Sequence, residues 1–230
     1  MFKKTIKDLL PPPVSVSHGE YSMILSAEDD PSRPTPAMIE TSLSAIQAAM
    51  LTHLDTFSNG SHYLNLWPGE HYRLLAGFVQ VLQPRLVIEI GTSTGLSCLS
   101  MMHFTKCIVT FDVLPWESYP NTVLKSSDFA DGRLVQIVAD LSRDEVFERH
   151  KELLQQSILY FIDATHDGKL EKNLLDKIAS LPRKEPVWIL FDDIRVWTML
   201  KMWRDITYPK LDLTSFGHWS GTGLVCLDSN

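Results

Sequence analysis

Val87-Ile-Glu-Ile-Gly91-Thr-Ser-Thr-Gly95-Leu-Ser97 decides the fold of this 230-residue chain. The stretch reads as a buried strand, a glycine-containing turn and the start of a helix. Glycine has no side chain and tolerates unusual dihedrals, so such a turn lets a ligand approach the backbone closely. The helix start adds oriented N–H donors that suit an anionic group. The Gly-x-x-x-Gly spacing departs from the Gly-x-Gly-x-x-Gly pattern of dinucleotide folds. A cofactor without a pyrophosphate needs a different turn, so nicotinamide-dependent oxidoreduction is disfavoured.

Outward from this turn the pattern alternates between helix and strand. The spacing predicts an amphipathic helix over 70–82, ended near Pro84, a strand over 85–90 and a helix over 93–103. Strands follow at 107–111 and 134–139, then a charged helix over 142–155 and a strand at 158–162. A helix at 170–181, a strand at 187–191 and a helix at 195–206 precede a terminal antiparallel pair, 211–216 with 223–227. Near-continuous apolar strands separated by helices imply a parallel sheet covered on both faces. The expected fold class is therefore α/β, Rossmann-like and doubly wound, with a mostly parallel seven-stranded sheet. Residues 1–60 lack repeated strands and are punctuated by Pro11 to Pro13, Pro31, Pro34 and Pro36. Within them, 37–51 has helical apolar spacing and needs a body to pack against. This region is expected to be a helical N-terminal cap or arm, with 61–230 as the domain proper. The proline-rich arm could also pack on a second subunit, so a homo-oligomer stays open.

Composition narrows the function classes. The 44% hydrophobic and 21% charged fractions are ordinary for a globular protein. No apolar run approaches the ~18 residues of a membrane span, and the basic start lacks the apolar stretch of a secretory signal. Cys98, Cys107 and Cys226 form no Cys-x-x-Cys pair, which suits reduced thiols in a cytoplasmic protein. The net charge of −7 argues against nucleic acid as a partner.

Acidic residues recur where predicted strands end, the edge at which open α/β sheets bind ligands. Asp112 closes the second strand, where it can accept hydrogen bonds from ribose hydroxyls. Asp140 closes the third, placed beside an adenine. Glu89-Ile-Gly91-Thr-Ser-Thr-Gly95, Asp112 and Asp163 together resemble the class I S-adenosylmethionine-dependent methyltransferases. More narrowly, Ile90-Gly-Thr-Ser-Thr-Gly-Leu-Ser97 resembles the cation-dependent O-methyltransferases of the catechol and caffeoyl-CoA type. Phe161-Ile-Asp163-Ala-Thr-His166 with Leu190-Phe-Asp192-Asp193-Ile194 resembles related macrolide-sugar O-methyltransferases. The similarity spans roughly 66–227. It implies S-adenosylmethionine as cofactor, held by Glu89, Gly91, Thr92, Ser93, Gly95, Asp112, Asp140 and Asp163. Glu89 and Gly91 would lie near its methionine end.

Asp163 ends the fourth predicted strand and Asp192-Asp193 the fifth. Neighbouring strands lie about 4.8 Å apart, so these carboxylates can converge above one edge. Converging carboxylates repel unless something positive sits between them, and an oxygen-only set suits a hard cation such as Mg2+. The resemblance implies the same metal ligands, Asp163, Asp192 and Asp193, although the catechol type has Asn at the third position. His166, three residues after Asp163, is placed to accept a substrate hydroxyl proton beside the metal, with Lys169 as the weaker alternative. The plainer readings stand beside these. Asp163 and Asp192 could cap helices, Asp193 could pair with Arg195 or Arg204, and His71 could be a packed or capping residue. Trp197 and Trp219 are the pocket candidates among the aromatics. The leading expectation is metal-assisted methyl transfer to a hydroxylated small molecule, such as a sugar or secondary metabolite. The alternatives are a metal-independent N- or C-methyltransferase and a non-catalytic S-adenosylmethionine-binding protein.

Overall fold

The structure, a computed structural model, describes residues 32–54 and 62–229. Expectations for the arm before residue 32, including Pro11 to Pro13, lie outside the described residues, as does the boundary drawn at 60–61.

The first helix, α1 (Pro36–Leu51), starts where Thr35 accepts a hydrogen bond from the Met38 N–H at 3.2 Å. Pro36 has its locked φ in the first turn, where no intrahelical donor is needed. The helix packs on α2 (Tyr72–Leu82) through Met38, Ala45, Ile46 and Ala49. A Cβ on Gly77 would lie 2.2 Å from the Ala45 carbonyl oxygen, so only glycine permits this close crossing.

Seven strands follow: β1 (Val87–Ile90), β2 (Ile108–Asp112), β3 (Leu134–Val138), β4 (Leu159–Ile162), β5 (Val187–Asp192), β6 (Lys210–Asp212) and β7 (Thr222–Leu227). The helices between them are α3 (Leu96–Met101), α4 (Asp144–Leu154), α5 (Lys169–Ser180) and α6 (Trp197–Asp205). The sheet order is β3-β2-β1-β4-β5-β7-β6, with β7 antiparallel to both its neighbours and the other pairs parallel. Strand side chains alternate between faces. Ile88, Phe111, Tyr160 and Phe191 meet α4, α5 and α6 on one face, while Val87, Phe161 and Leu190 meet α1, α2 and α3 on the other. The expected doubly wound α/β sheet with its antiparallel end is the observed one.

Two elements fall furthest short of the apolar pattern, for local reasons. Ser93 and Gly95 have left-handed φ values of 44° and 84°, so α3 cannot begin before Leu96. The predicted strand at 211–216 stops at Asp212, whose carboxylate accepts the Thr214 N–H at 2.9 Å and turns the chain. Among the described residues no helix is long and apolar enough to cross a membrane.

Candidate active site

Strand order reverses between β1 and β4, and at such a point the two chain ends diverge to leave a crevice. Gly91 sits at its floor with φ 104°, and a Cβ there would come within 1.7 Å of the Asp163 carbonyl oxygen. The glycine therefore lets the ends of β1 and β4 touch. The turn beyond it is tied by Asp112, whose Oδ2 accepts the N–H groups of Thr92 at 2.8 Å and Ser93 at 3.2 Å. Asp112 Oδ1 accepts from the Leu114 N–H at 3.1 Å and the Tyr119 hydroxyl at 2.9 Å. Asp140 Oδ1 accepts from the Ser142 N–H at 2.9 Å and its hydroxyl at 2.6 Å.

A cleft of about 310 Å³ opens over these strand ends. Of the expected cofactor residues, Gly91, Ser93, Asp112, Asp140 and Asp163 line it. Glu89, Thr92 and Gly95 instead support the turn: Glu89 and Thr92 are buried, and the Gly95 N–H donates to the Thr92 carbonyl at 2.9 Å. A nucleoside with a cationic tail fits this cleft, because Asp112 and Asp140 offer acceptors to hydroxyl and amino groups and Asp163 adds negative charge. Glu89, fully buried, receives the Ser97 hydroxyl and the Cys98 thiol. Burial pushes its carboxyl up to about 7 against the pull of these donors and of the Thr110 hydroxyl.

Beside Asp163 at the cleft wall, Asp192 and His166 come together; Asp193, the third expected metal ligand, is not in that group. Donor atoms of Asp163, His166 and Asp192 all lie within 4.8 Å of one another. The Asp163–His166 contact does not come from a helical turn, since α5 starts only at Lys169 and His166 has φ 55°. The loop is pinned instead by buried Glu171, whose carboxylate accepts the N–H groups of His166 at 2.8 Å and Gly168 at 2.9 Å. The Thr198 hydroxyl donates to the His166 carbonyl. His166 Nε2 lies 2.9 Å from Asp163 Oδ1 and its Nδ1 3.3 Å from Asp193 Oδ2. The hydrogen bond to Asp163, helped by the charges of Asp193 and Asp192, outweighs burial and lifts the imidazole to about 9. Asp193, at φ 59°, turns inward to the Ser220 hydroxyl; Arg195 pairs with Asp212 at 2.9 Å. The oxygens of Asp163 and Asp192 fit a divalent cation by chemistry and proximity.

Sequence reasoning missed two members of this cluster. His71 Nδ1 lies 3.4 Å and His218 Nδ1 3.1 Å from Asp192 Oδ1. Burial works against the charge on Asp192, yet these two imidazoles hold its carboxyl well below the usual range. The loops carrying them meet where the Gly69 N–H donates to the Gly217 carbonyl and the Trp219 N–H to the Gly69 carbonyl, each at 3.1 Å. No local periodicity reports such a pairing; Gly69 before His71 and the Gly217-to-Gly223 loop are its only traces. Trp197 and Trp219 are 77% and 75% exposed and line no part of the cleft, and Lys169 is exposed at the start of α5.

No family model and no curated protein matches this chain. Solved structures do. The S-adenosylhomocysteine-bound methyltransferase PaMTH1 of Podospora anserina aligns at TM-score 0.52 and 18% identity, over 86% of this chain and 91% of its own. The O-methyltransferase TomG of Streptomyces achromogenes, in complex with S-adenosylmethionine, aligns at 0.52 and 15%, over 82% and 96%. A putative caffeoyl-CoA O-methyltransferase from Staphylococcus aureus aligns at 0.56 and 13%, over 83% and 100%. The fold is thus the Rossmann-like fold of class I methyltransferases.

Proposed function

We propose that this chain is a methyltransferase that uses S-adenosylmethionine to methylate a hydroxyl of a small molecule, assisted by a divalent cation such as Mg2+. One observation carries the reading: Asp163 both lines the cleft over Gly91 and belongs to the His166–Asp192 cluster, so a cofactor cleft and a proton-transfer group share a wall. The bound ligands of PaMTH1 and TomG support the choice of cofactor. The cation would be held by Asp163 and Asp192, with Asp193 beside them, and would lower the pKa of the substrate hydroxyl. His166, raised to about 9, must first give up its proton, which a cation held by Asp163 and Asp192 would favour; its neutral imidazole then takes the hydroxyl proton. The substrate oxygen then bonds to the sulfonium methyl carbon as the carbon–sulfur bond breaks, and the electron pair stays on sulfur. Holding the two reactants in line supplies much of the acceleration. The formal charge of −7 supports a small-molecule partner over a nucleic acid.

Calorimetry with S-adenosylmethionine, S-adenosylhomocysteine and NAD tests the cofactor, with binding expected for the first two alone. A methyl-transfer assay over hydroxylated small molecules, with Mg2+ or with EDTA, tests the reaction. His166→Ala is expected to lower turnover by roughly 10²–10⁴ with cofactor affinity kept, the range for a lost general base. Equal turnover in the variant would remove His166 from this role. One feature favours a second reading, metal-independent transfer: histidines already pair with each carboxylate of the cluster. Turnover insensitive to EDTA would select it.

A further inference from the structure

We propose that His71 and His218 form, with Asp192, a second cation site that shares Asp192 with the first, for a borderline transition metal such as Zn2+ or Co2+. It goes beyond the methyl-transfer reading and does not depend on it. The three residues come from the start of α2, the end of β5 and the loop before β7, and their donor atoms all lie within 4.8 Å of one another. The two distances to Asp192 Oδ1, 3.4 Å and 3.1 Å, match the edges of a coordination shell. Metal–ligand bonds of about 2.0–2.1 Å separate neighbouring ligands by roughly 3.3 Å in a tetrahedron and 2.9 Å in an octahedron.

A second, independent observation points the same way. His71 is 3% exposed, and among the described residues its ring nitrogens make no hydrogen bond; Nδ1 has only the 3.4 Å approach to Asp192 Oδ1. Buried polar side chains are nearly always bonded, so an imidazole in this state calls for a partner. A cation between Nδ1 and Asp192 Oδ1 would replace their long contact with a bond to each. Two imidazoles and one carboxylate select borderline cations, in contrast to the all-oxygen set of Asp163, Asp192 and Asp193, which suits Mg2+. His218 Nδ1 lies 3.1 Å from Asp192 Oδ1 and 2.7 Å from the Ser220 hydroxyl, and its Nε2 faces Glu70 Oε2 at 3.8 Å, beyond hydrogen-bond reach. Three protein ligands leave a coordination position for water or another oxygen. Asp192 is the hinge between the two donor sets.

The test uses the full chain, stripped of metal by dialysis and titrated with Co2+ under visible absorption, with Zn2+ as competitor. The expected result is one Co2+ per chain with d–d bands of a nitrogen-containing shell, displaced by Zn2+ and not by millimolar Mg2+. His71→Ala and His218→Ala are expected to weaken binding more than 100-fold, and His166→Ala and Asp193→Asn by less than threefold. X-ray absorption of the Zn2+-loaded wild type, expected to show two imidazoles, gives a readout that needs no variant to fold. Absence of Co2+ binding, unchanged binding in both His71→Ala and His218→Ala, or loss in His166→Ala alone would each overturn the proposal. Calorimetry with S-adenosylmethionine reports on the methyl-transfer reading separately, so one can fail without the other.

Discussion

Glu89 and Asp192 are both buried carboxylates of one sheet, on strands separated only by β4, yet they carry their burial in opposite ways. Glu89 on β1 meets neutral donors, the Ser97 hydroxyl and the Cys98 thiol, and burial prevails, so its carboxyl is pushed up to about 7. Asp192 at the end of β5 meets two imidazoles and stays charged. Burial disfavours both ions; the partners decide the outcome. The difference divides the site. The turn over Gly91 rests on a carboxyl whose charge burial disfavours, beside groups that meet a ligand through hydrogen bonds. The wall beyond Asp163 concentrates charge, which suits proton transfer and cations.

Asp192→Ala should break this contrast most strongly. It strips the counter-charge from buried His71 and from His218, and breaking a buried ion pair costs about 3–5 kcal/mol. Urea denaturation at pH 7 measures it. A loss below about 1 kcal/mol would mean that the imidazoles do not hold charge against Asp192, and the two carboxylates would then be alike.

Glu89→Gln is next, and the sign follows from the shift. The folded-state value of about 7 lies above the ordinary 4.5, so the native protein binds the extra proton between them. Stability from Glu89 is full below pH 4.5 and is lost as pH rises through 7, by about 3 kcal/mol over that window. His166 and His218, raised to about 9 and about 10, lose their stabilising contribution later, as pH rises from 6.5 through those values. Melting temperature against pH should therefore fall in two stages. Glu89→Gln should flatten only the acidic stage and exceed the wild type in stability at pH 8; a change in the alkaline stage instead would assign the slopes wrongly.

Why the first of these carboxylates was legible in sequence and the partners of the second were not is a matter of range. Glu89, Gly91 and Gly95 lie within one strand–turn–helix unit, where spacing alone encodes the geometry. Asp112, Asp140, Asp163 and Asp192 end strands whose apolar runs mark them, so a parallel sheet brings them to one edge without further information. His166 was found by its offset from Asp163, although a loop held by Glu171 makes the contact rather than a helical turn. His71 and His218 depend on two loops meeting through backbone hydrogen bonds, and no periodic signal encodes that. Trp197 and Trp219 misled because aromatic character says nothing of direction; both point to solvent.

The smallest effect is expected at the Gly91 turn, from Tyr119→Phe. Asp112 accepts four hydrogen bonds, three from backbone N–H groups and one from the Tyr119 hydroxyl. Removing the hydroxyl leaves the turn tied by the backbone donors, and a half-buried bond of this kind contributes about 1 kcal/mol at most. The gain appears on the ligand side. A ribose hydroxyl approaching Asp112 Oδ1 must displace the phenol in the wild type and need not in the variant. Since about 1.4 kcal/mol corresponds to tenfold, S-adenosylhomocysteine should bind the variant several-fold more tightly by calorimetry, with melting temperature nearly unchanged. Weaker binding would mean that Tyr119 contacts the ligand instead of competing with it. Asp112 would then be fully engaged by its own turn, and this end of the cleft would recognise its ligand through the phenol rather than through the carboxylate.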